Sequence, residues 1–157
     1  MKAISIVLIS LLLVLGGAGS VPAAALGETS VVASGGGLFP ADTTFNQIPL
    51  SGSTFGIGAI VAGDGTAIGD VEIVLSGTSL VGQPQSIAVE GKVASGSLNA
   101  DGSVTVAGAA NVDMGDGTPA LSSVPFSVTL TAQGLQLVVG TTNLPTQTLS
   151  EGTITIQ

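Results

Sequence analysis

Hydrophobic and polar residues alternate with a period of two along most of the chain from residue 53 onward. Side chains of a β-strand point alternately to opposite faces, so this pattern is typical of strands that bury one face. The pattern assigns these apolar residues to buried faces: Phe55, Ile57, Ala59, Val61, Ala67, Val71, Ile73, Leu75, Ile87, Val89, Val93, Val104, Val106, Ala110, Val112, Val124, Phe126, Val128, Leu130, Leu135, Leu137, Val139, Ile154 and Ile156.

Turn signals separate the alternating runs, as at Asp64-Gly65 and Asp101-Gly102. No segment beyond the first 26 residues shows a capped helical pattern with a period of 3.6. Short strands at regular spacing are typical of antiparallel all-β folds. We therefore predict a single antiparallel β-sandwich or closed barrel of about seven or eight strands, whose last strand ends the chain.

The stretch before this core is mixed in character. TSVVAS, residues 29–34, predicts a strand that Gly35-Gly36-Gly37 interrupts, and Pro40 and Pro49 frame a loop. We therefore predict an N-terminal strand and a Gly/Pro-rich loop over residues 26–52, leading into a core over residues 53–157.

The first 25 residues have the layout of a secretory signal peptide. Lys2 precedes an apolar run over residues 3–15, and small residues follow up to Ala25. We predict cleavage after Ala25 or Ala23 and export of the remainder, so that the mature protein is extracellular. The alternative is a retained membrane anchor, because no charge occurs between Lys2 and Glu28, a distance that reaches the ~20 residues of a span.

The composition excludes several classes of function. The net charge is −8, there is no Cys or His, and Lys92 is the only lysine or arginine beyond the leader. A basic patch for phosphates cannot be built, so we predict no nucleic-acid partner, and membrane contact only if the leader is retained. Common catalytic triads and zinc sites are unavailable, and no cofactor is predicted.

A glycine-rich stretch, TFGIGAIVAGDGTAIGDVEIVL at residues 54–75, poses the question of a phosphate-binding loop. Gly63, Gly65 and Gly69 form G-x-G-x-x-x-G, one residue longer than the dinucleotide fingerprint, and a strand pattern follows instead of a helix. We predict a hairpin turn at Asp64-Gly65. The glycines within strands, Gly56, Gly58 and Gly69, are then expected at bulges, bends or close backbone contacts.

Two groups of acidic residues are candidates for chemistry. NVDMGDG, residues 111–117, offers oxygen ligands for Ca²⁺ from Asn111, Asp113 and Asp116, although the spacing is not that of an EF-hand and a solvated acidic loop is the alternative.

Asp70 and Glu72 share a strand face and form the carboxylate pair that a glycoside hydrolase would need. Sugar-cleaving clefts generally offer aromatic platforms, and the chain has four Phe, no Trp and no Tyr, so we predict no enzymatic activity.

Several segments occur in the order found in a known domain: SGGG, TFGIGAIV, SIAVEGKVA, VTVAGAANV, PFSVTLTAQG and GTITIQ. Over residues 33–157 the chain resembles the small secreted bacterial β-domain called post-COAP, and differs from it at LQLVVG and AQG. The resemblance implies export and an all-β fold, and it brings no catalytic residues.

The sequence as a whole predicts a secreted, non-enzymatic β-domain with a structural or binding role outside the cell, whose partner is a component of the cell surface or a second copy of the chain. One alternative is a self-assembling matrix or fibre subunit, in which residues 31–34 donate a strand to the edge of a neighbouring sheet. The other is a hydrolase that depends on carboxylates.

Overall fold

The computed structural model describes residues 27–157, which form antiparallel β-structure without an α-helix, as the alternation predicts. Each long strand follows a run of alternating residues, and turns occupy the Gly- and Asp-rich segments between them. The strands are β1 (Thr29–Leu38), β2 (Thr44–Phe45), β3 (Ile48–Val61), β4 (Thr66–Thr78), β5 (Pro84–Leu98), β6 (Val104–Asp113), β7 (Leu121–Thr131), β8 (Gly134–Val139), β9 (Thr142–Asn143) and β10 (Gln147–Ile156).

Strands β3 to β8 form a meander in which each strand pairs with the next one along the chain. The sheet continues from β8 to β10 and from β10 to β1. Strand β1 also pairs along its whole length with β3, so the pairings return to the strand that begins the meander. The two-residue strands β2 and β9 add to β3 and β8 respectively.

One hydrophobic core lies on the inner face of these strands, and the alternation identifies most of it. Nearly all apolar residues assigned to buried faces are buried in this cluster. Val124, Ile154 and Ile156 are the exceptions, since they are only half-buried at its margin.

The structure corrects the prediction for residues 26–52. Strand β1 continues through the three glycines to Leu38, and β3 begins at Ile48 rather than at residue 53. The glycines are required by close contacts: a Cβ on Gly35 would lie 2.1 Å from the carbonyl oxygen of Glu151, and one on Gly37 would lie 2.6 Å from Oε1 of Gln147. The segment is an integral part of the sheet, and it also contributes core side chains, namely Val31, Ala33, Phe39, Phe45, Ile48 and Leu50.

Three turns share one construction, which the sequence shows as Asp-Gly followed by Thr or Ser. In each, Oδ1 of Asp64, Asp101 or Asp116 accepts hydrogen bonds from the backbone N–H and the hydroxyl of the residue two positions later. The intervening glycine has a φ between 81° and 87° in all three turns, a region that glycine enters without steric cost. The predicted turns at Asp64-Gly65 and Asp101-Gly102 are thus confirmed.

These turns predict a stability that decreases in acid. The hydroxyl bond, followed by the backbone N–H bond, holds the pKa of Asp64, Asp101 and Asp116 below the ordinary value of 3.8. A lowered folded-state pKa stabilises the protein above the unfolded-state pKa, and this contribution is lost as the pH falls through the folded-state pKa. We expect the melting temperature of the wild type to exceed that of an Asp64→Asn, Asp101→Asn, Asp116→Asn variant near neutral pH, and the difference to shrink below about pH 4.

A variant with Glu28→Gln, Asp42→Asn and Glu151→Gln removes the same number of charges outside these turns and serves as the control. Circular dichroism during heating at a series of pH values measures both differences. If the difference between the wild type and the turn variant does not change with pH, the turn carboxylates do not carry the acid dependence.

Residues 1–26, which include the predicted cleavage sites, lie outside the described residues. Within residues 27–157, no helix has the length and apolar character needed to cross a membrane.

Candidate functional site: a groove on the outer face of the sheet

A groove of about 640 Å³ crosses the outer face of β3, β4, β5 and β6. Its residues alternate with the core residues, so the same period that fills the core places polar side chains here. One row across the four strands consists of direct cross-strand neighbours: Gly56, Glu72, Glu90 and Asn111.

The next row across the groove contains the only lysine or arginine of residues 27–157. Gly58, Asp70, Lys92 and Ala109 are cross-strand neighbours in this row. The Lys92 ammonium donates to Asp70 Oδ1, and the two side chains are 83% and 72% exposed. An exposed ion pair of this kind contributes little to stability, about 0–1 kcal/mol. It does, however, pair the only cationic side chain of the groove with Asp70.

Gly56 and Gly58, both on β3, form the floor at one side of the groove. Two of the predicted roles are wrong for Gly56 and Gly58: the register with β4 has no bulge there, and a Cβ at either position would have no atom within 4 Å. Gly69 does fulfil the prediction: it lies at a bulge, and its Cβ would be 2.1 Å from the carbonyl oxygen of Gly58. The missing side chains at Gly56 and Gly58 therefore leave backbone exposed at the base of an open depression.

The groove is electronegative. Glu72 and Glu90 lie directly opposite each other on β4 and β5, where like charges are destabilising. Lys92 is paired with Asp70, so neither glutamate has an ion-pair partner among the described residues. The cost of placing two carboxylates side by side would be offset by a positively charged ligand that contacts both.

An apolar surface adjoins the groove and shares Gly58, Asp70 and Lys92 with it. This depression of about 590 Å³ is lined by the outward-facing side chains of Val32, Ile60 and Ile68. The groove thus has carboxylates at one end and aliphatic side chains at the other.

The predicted calcium ligands are divided between the groove and a loop. Asn111 lies in the groove beside Glu90, and Asp113 is the last residue of β6. Oδ1 of Asp113 accepts from the N–H of Gly115, and Oδ1 of Asp116 accepts from Thr118. No group of three or more His, Cys, Asp or Glu side chains suited to a metal ion occurs within residues 27–157.

We expect removal of divalent ions to leave the melting temperature unchanged, because these carboxylate oxygens already accept hydrogen bonds from their own loops. Any ion that binds the native state alone raises the melting temperature by mass action. Circular dichroism during heating, with a chelator and with millimolar Ca²⁺, checks this. A rise with Ca²⁺ that disappears in an Asp113→Ala, Asp116→Ala variant would instead establish the calcium site.

Glu90 and the glycine floor were not identified as parts of a site from the sequence. The alternation does place Glu90 on an outer face, but it does not tell which residue of the next strand lies opposite. Comparison of the chain with family models, with curated proteins and with solved structures found no match. The resemblance to post-COAP domains therefore stays a prediction, and the function is inferred from geometry.

Proposed function

We propose that the protein is exported and acts outside the cell as a non-enzymatic domain that binds a positively charged ligand in the groove. The observation that carries this proposal is the cross-strand pair of Glu72 and Glu90, which has no cationic partner among residues 27–157 and lies beside exposed glycine backbone of β3. Cationic groups of a peptide or a cell-surface polymer have the complementary charge.

The composition supports binding rather than catalysis. Asp70, one of the two carboxylates considered for a hydrolase, is engaged by Lys92. A hydrolase in this groove would have to use Glu72 with Glu90. The chain has no histidine or cysteine to serve as a general base or nucleophile.

Binding of a short lysine-rich peptide at low ionic strength tests the proposal. We expect a Glu72→Gln, Glu90→Gln variant to bind roughly tenfold more weakly, since two exposed charge contacts of up to about 1 kcal/mol each are lost. A Glu28→Gln, Glu151→Gln variant loses the same charge outside the groove and should bind like the wild type. Equal weakening in both variants would show that only net charge matters.

Two further measurements address export and catalysis. Intact mass of the exported protein should show that residues 1–25, or residues 1–23 for cleavage after Ala23, are missing, whereas a retained Met1 would support the anchor. Incubation with chromogenic glycosides should release no product, and release that Glu72→Gln abolishes would establish the hydrolase instead.

We also infer that the eight longer strands form a closed barrel rather than a sandwich. The inference is supported by the pairing of β1 with both β10 and β3, and by the pairing of β8 with β10. A sandwich would leave two sheets with separate edges, whereas this order of neighbouring strands returns to its start, with β8 and β10 paired over two residues.

A further inference from the structure

The last strand is paired on both sides only at its beginning. Strand β8 pairs with Gln147 and Thr148 of β10, and the N–H of Leu149 donates to Gln133 in the β7–β8 turn. Because β8 begins at Gly134, which pairs with Thr148, it does not extend far enough to pair with the later residues of β10. From Ser150 to Ile156, no strand among the described residues pairs with β10 on the side away from β1.

The ladder with β1 determines which backbone groups face this free edge. Ser30 and Gln157 exchange two hydrogen bonds, of 2.7 and 2.9 Å between N and O. Backbone groups of successive residues in a strand point to alternate sides. Thr153 and Thr155 therefore direct their N–H and C=O groups toward β1, and Ile154 and Ile156 direct theirs toward the free edge.

The free edge also has an apolar side. Ile154 and Ile156 are half-buried, and with Thr155 they line a depression of about 410 Å³. The opposite wall is formed by the β5–β6 turn around Gly102 and the β7–β8 turn around Ala132. Unpaired backbone groups and half-buried isoleucines thus coincide in one slot.

Edge strands usually carry features that prevent pairing with another chain, such as lysine, proline or an inward-pointing charge. Residues 152–157, GTITIQ, have no charged side chain and no proline. The chain elsewhere carries ten acidic residues against two lysines, so a second copy is repelled by the net charge. Residues 152–157 add no charge of their own to this repulsion, and the one charged residue that lines the slot is Asp101 in the opposite wall.

We propose that the free edge of β10 is a self-association site, at which β10 of a second copy pairs antiparallel about a two-fold axis through Thr155. In this register Ile154 lies opposite Ile156 of the second copy, and Ile156 lies opposite Ile154 of the second copy. Each of these two residue pairs exchanges two backbone hydrogen bonds, and the four isoleucine side chains lie on one face of the joined sheet. A register centred on Ile154 would place Ile156 opposite Gly152, which has no side chain to pack against it.

The proposal is independent of the groove, and it differs from the donation of residues 31–34 to a neighbouring sheet. Those residues are already paired with β10 on one side and with β3 on the other. The closed two-fold contact yields a dimer, whereas strand donation from copy to copy yields a fibre.

The absence of cysteine makes cross-linking a clean test. In the proposed register Thr155 faces itself in a non-hydrogen-bonded pair, where Cα atoms are about 4.5 Å apart and a disulfide can form. Under mild oxidation we expect the exported protein with Thr155→Cys to give at least about fivefold more covalent dimer than the same protein with Thr148→Cys. Thr148 is exposed on the same strand but lies beside β8.

A second measurement, without cysteine, tests whether the covalent dimer reflects association of the protein rather than only a reactive thiol. Sedimentation of the cysteine-free protein at high concentration should show dimer that increases with salt, because screening reduces repulsion between acidic copies. Thr155→Lys puts like charges opposite each other and should leave monomer, while Thr148→Lys, with the same charge change, should still form dimer. Monomer in the wild type at every concentration, equal cross-linking at both positions, or open-ended oligomers would each overturn the proposal.

Discussion

Removal of Thr153–Gln157 should abolish the cooperative thermal transition of the protein. These residues form the end of β10 and pair with Ser30–Ser34 of β1. Fully burying an isoleucine is worth about 1.5–3 kcal/mol, so two half-buried ones contribute about 1.5–3 kcal/mol together. Each lost ladder hydrogen bond adds about 0.5–1.5 kcal/mol, and the sum approaches the 5–15 kcal/mol by which small domains are stable.

Truncation also exposes the edge of β1 and the core residues Val31 and Ala33 behind it. The chain has no Trp or Tyr, so far-ultraviolet circular dichroism during heating is the appropriate measurement. A full-length Ile154→Thr, Ile156→Thr variant keeps the ladder while removing the apolar contacts, and we expect it to melt cooperatively at a lower temperature. If the truncated protein melts at the full-length temperature, the end of β10 does not stabilise the fold.

The inner face of the sheet could be predicted because burial imposes a strict period on each strand separately. Val71, Ile73 and Leu75 are buried, and Asp70 and Glu72 are exposed, without any information from other strands. The Asp-Gly turns were predictable for the same reason, since their hydrogen bonds span only two residues.

The outer face could be predicted only in part, because its chemistry depends on the register between strands. Each of Glu72 and Glu90 is an ordinary exposed residue of its own strand, and only the β4–β5 register makes them neighbours. The β4–β5 pairing contains a bulge between Thr66 and Gly69, which shifts the register of the two strands. No pattern within either strand specifies this bulge. The free edge of β10 likewise results from the short length of β8, a relation between elements distant in the chain.

Glycine was the residue type whose role the sequence left most uncertain. Gly35, Gly36 and Gly37 suggested a break but lie within a strand, where the neighbouring backbone and Gln147 leave little or no room for a side chain. Gly56 and Gly58 suggested close contacts but face open space. What distinguishes the two groups is how close a Cβ would come to atoms of neighbouring residues, which depends on the tertiary structure.

This distinction predicts opposite outcomes for one substitution at two strand glycines. A Cβ on Gly108 of β6 would lie 1.9 Å from the carbonyl oxygen of Lys92, next to the bulge of β5 between Val93 and Ser95. Because the contact is with backbone, no side-chain rotation can relieve it. We expect Gly108→Ala to destabilise the protein by about 3 kcal/mol or more, at or beyond the upper end for overpacked sites.

Gly58→Ala, in contrast, should be neutral or stabilising by about 0.4–1 kcal/mol, because its Cβ enters open space and the unfolded chain loses conformational freedom. Urea denaturation followed by circular dichroism gives both free energies of unfolding under identical conditions. The pair of variants separates steric contact from a general intolerance of strand glycines to replacement. Equal destabilisation at both positions would mean that the open space above Gly58 is closed in solution, and the groove floor with it.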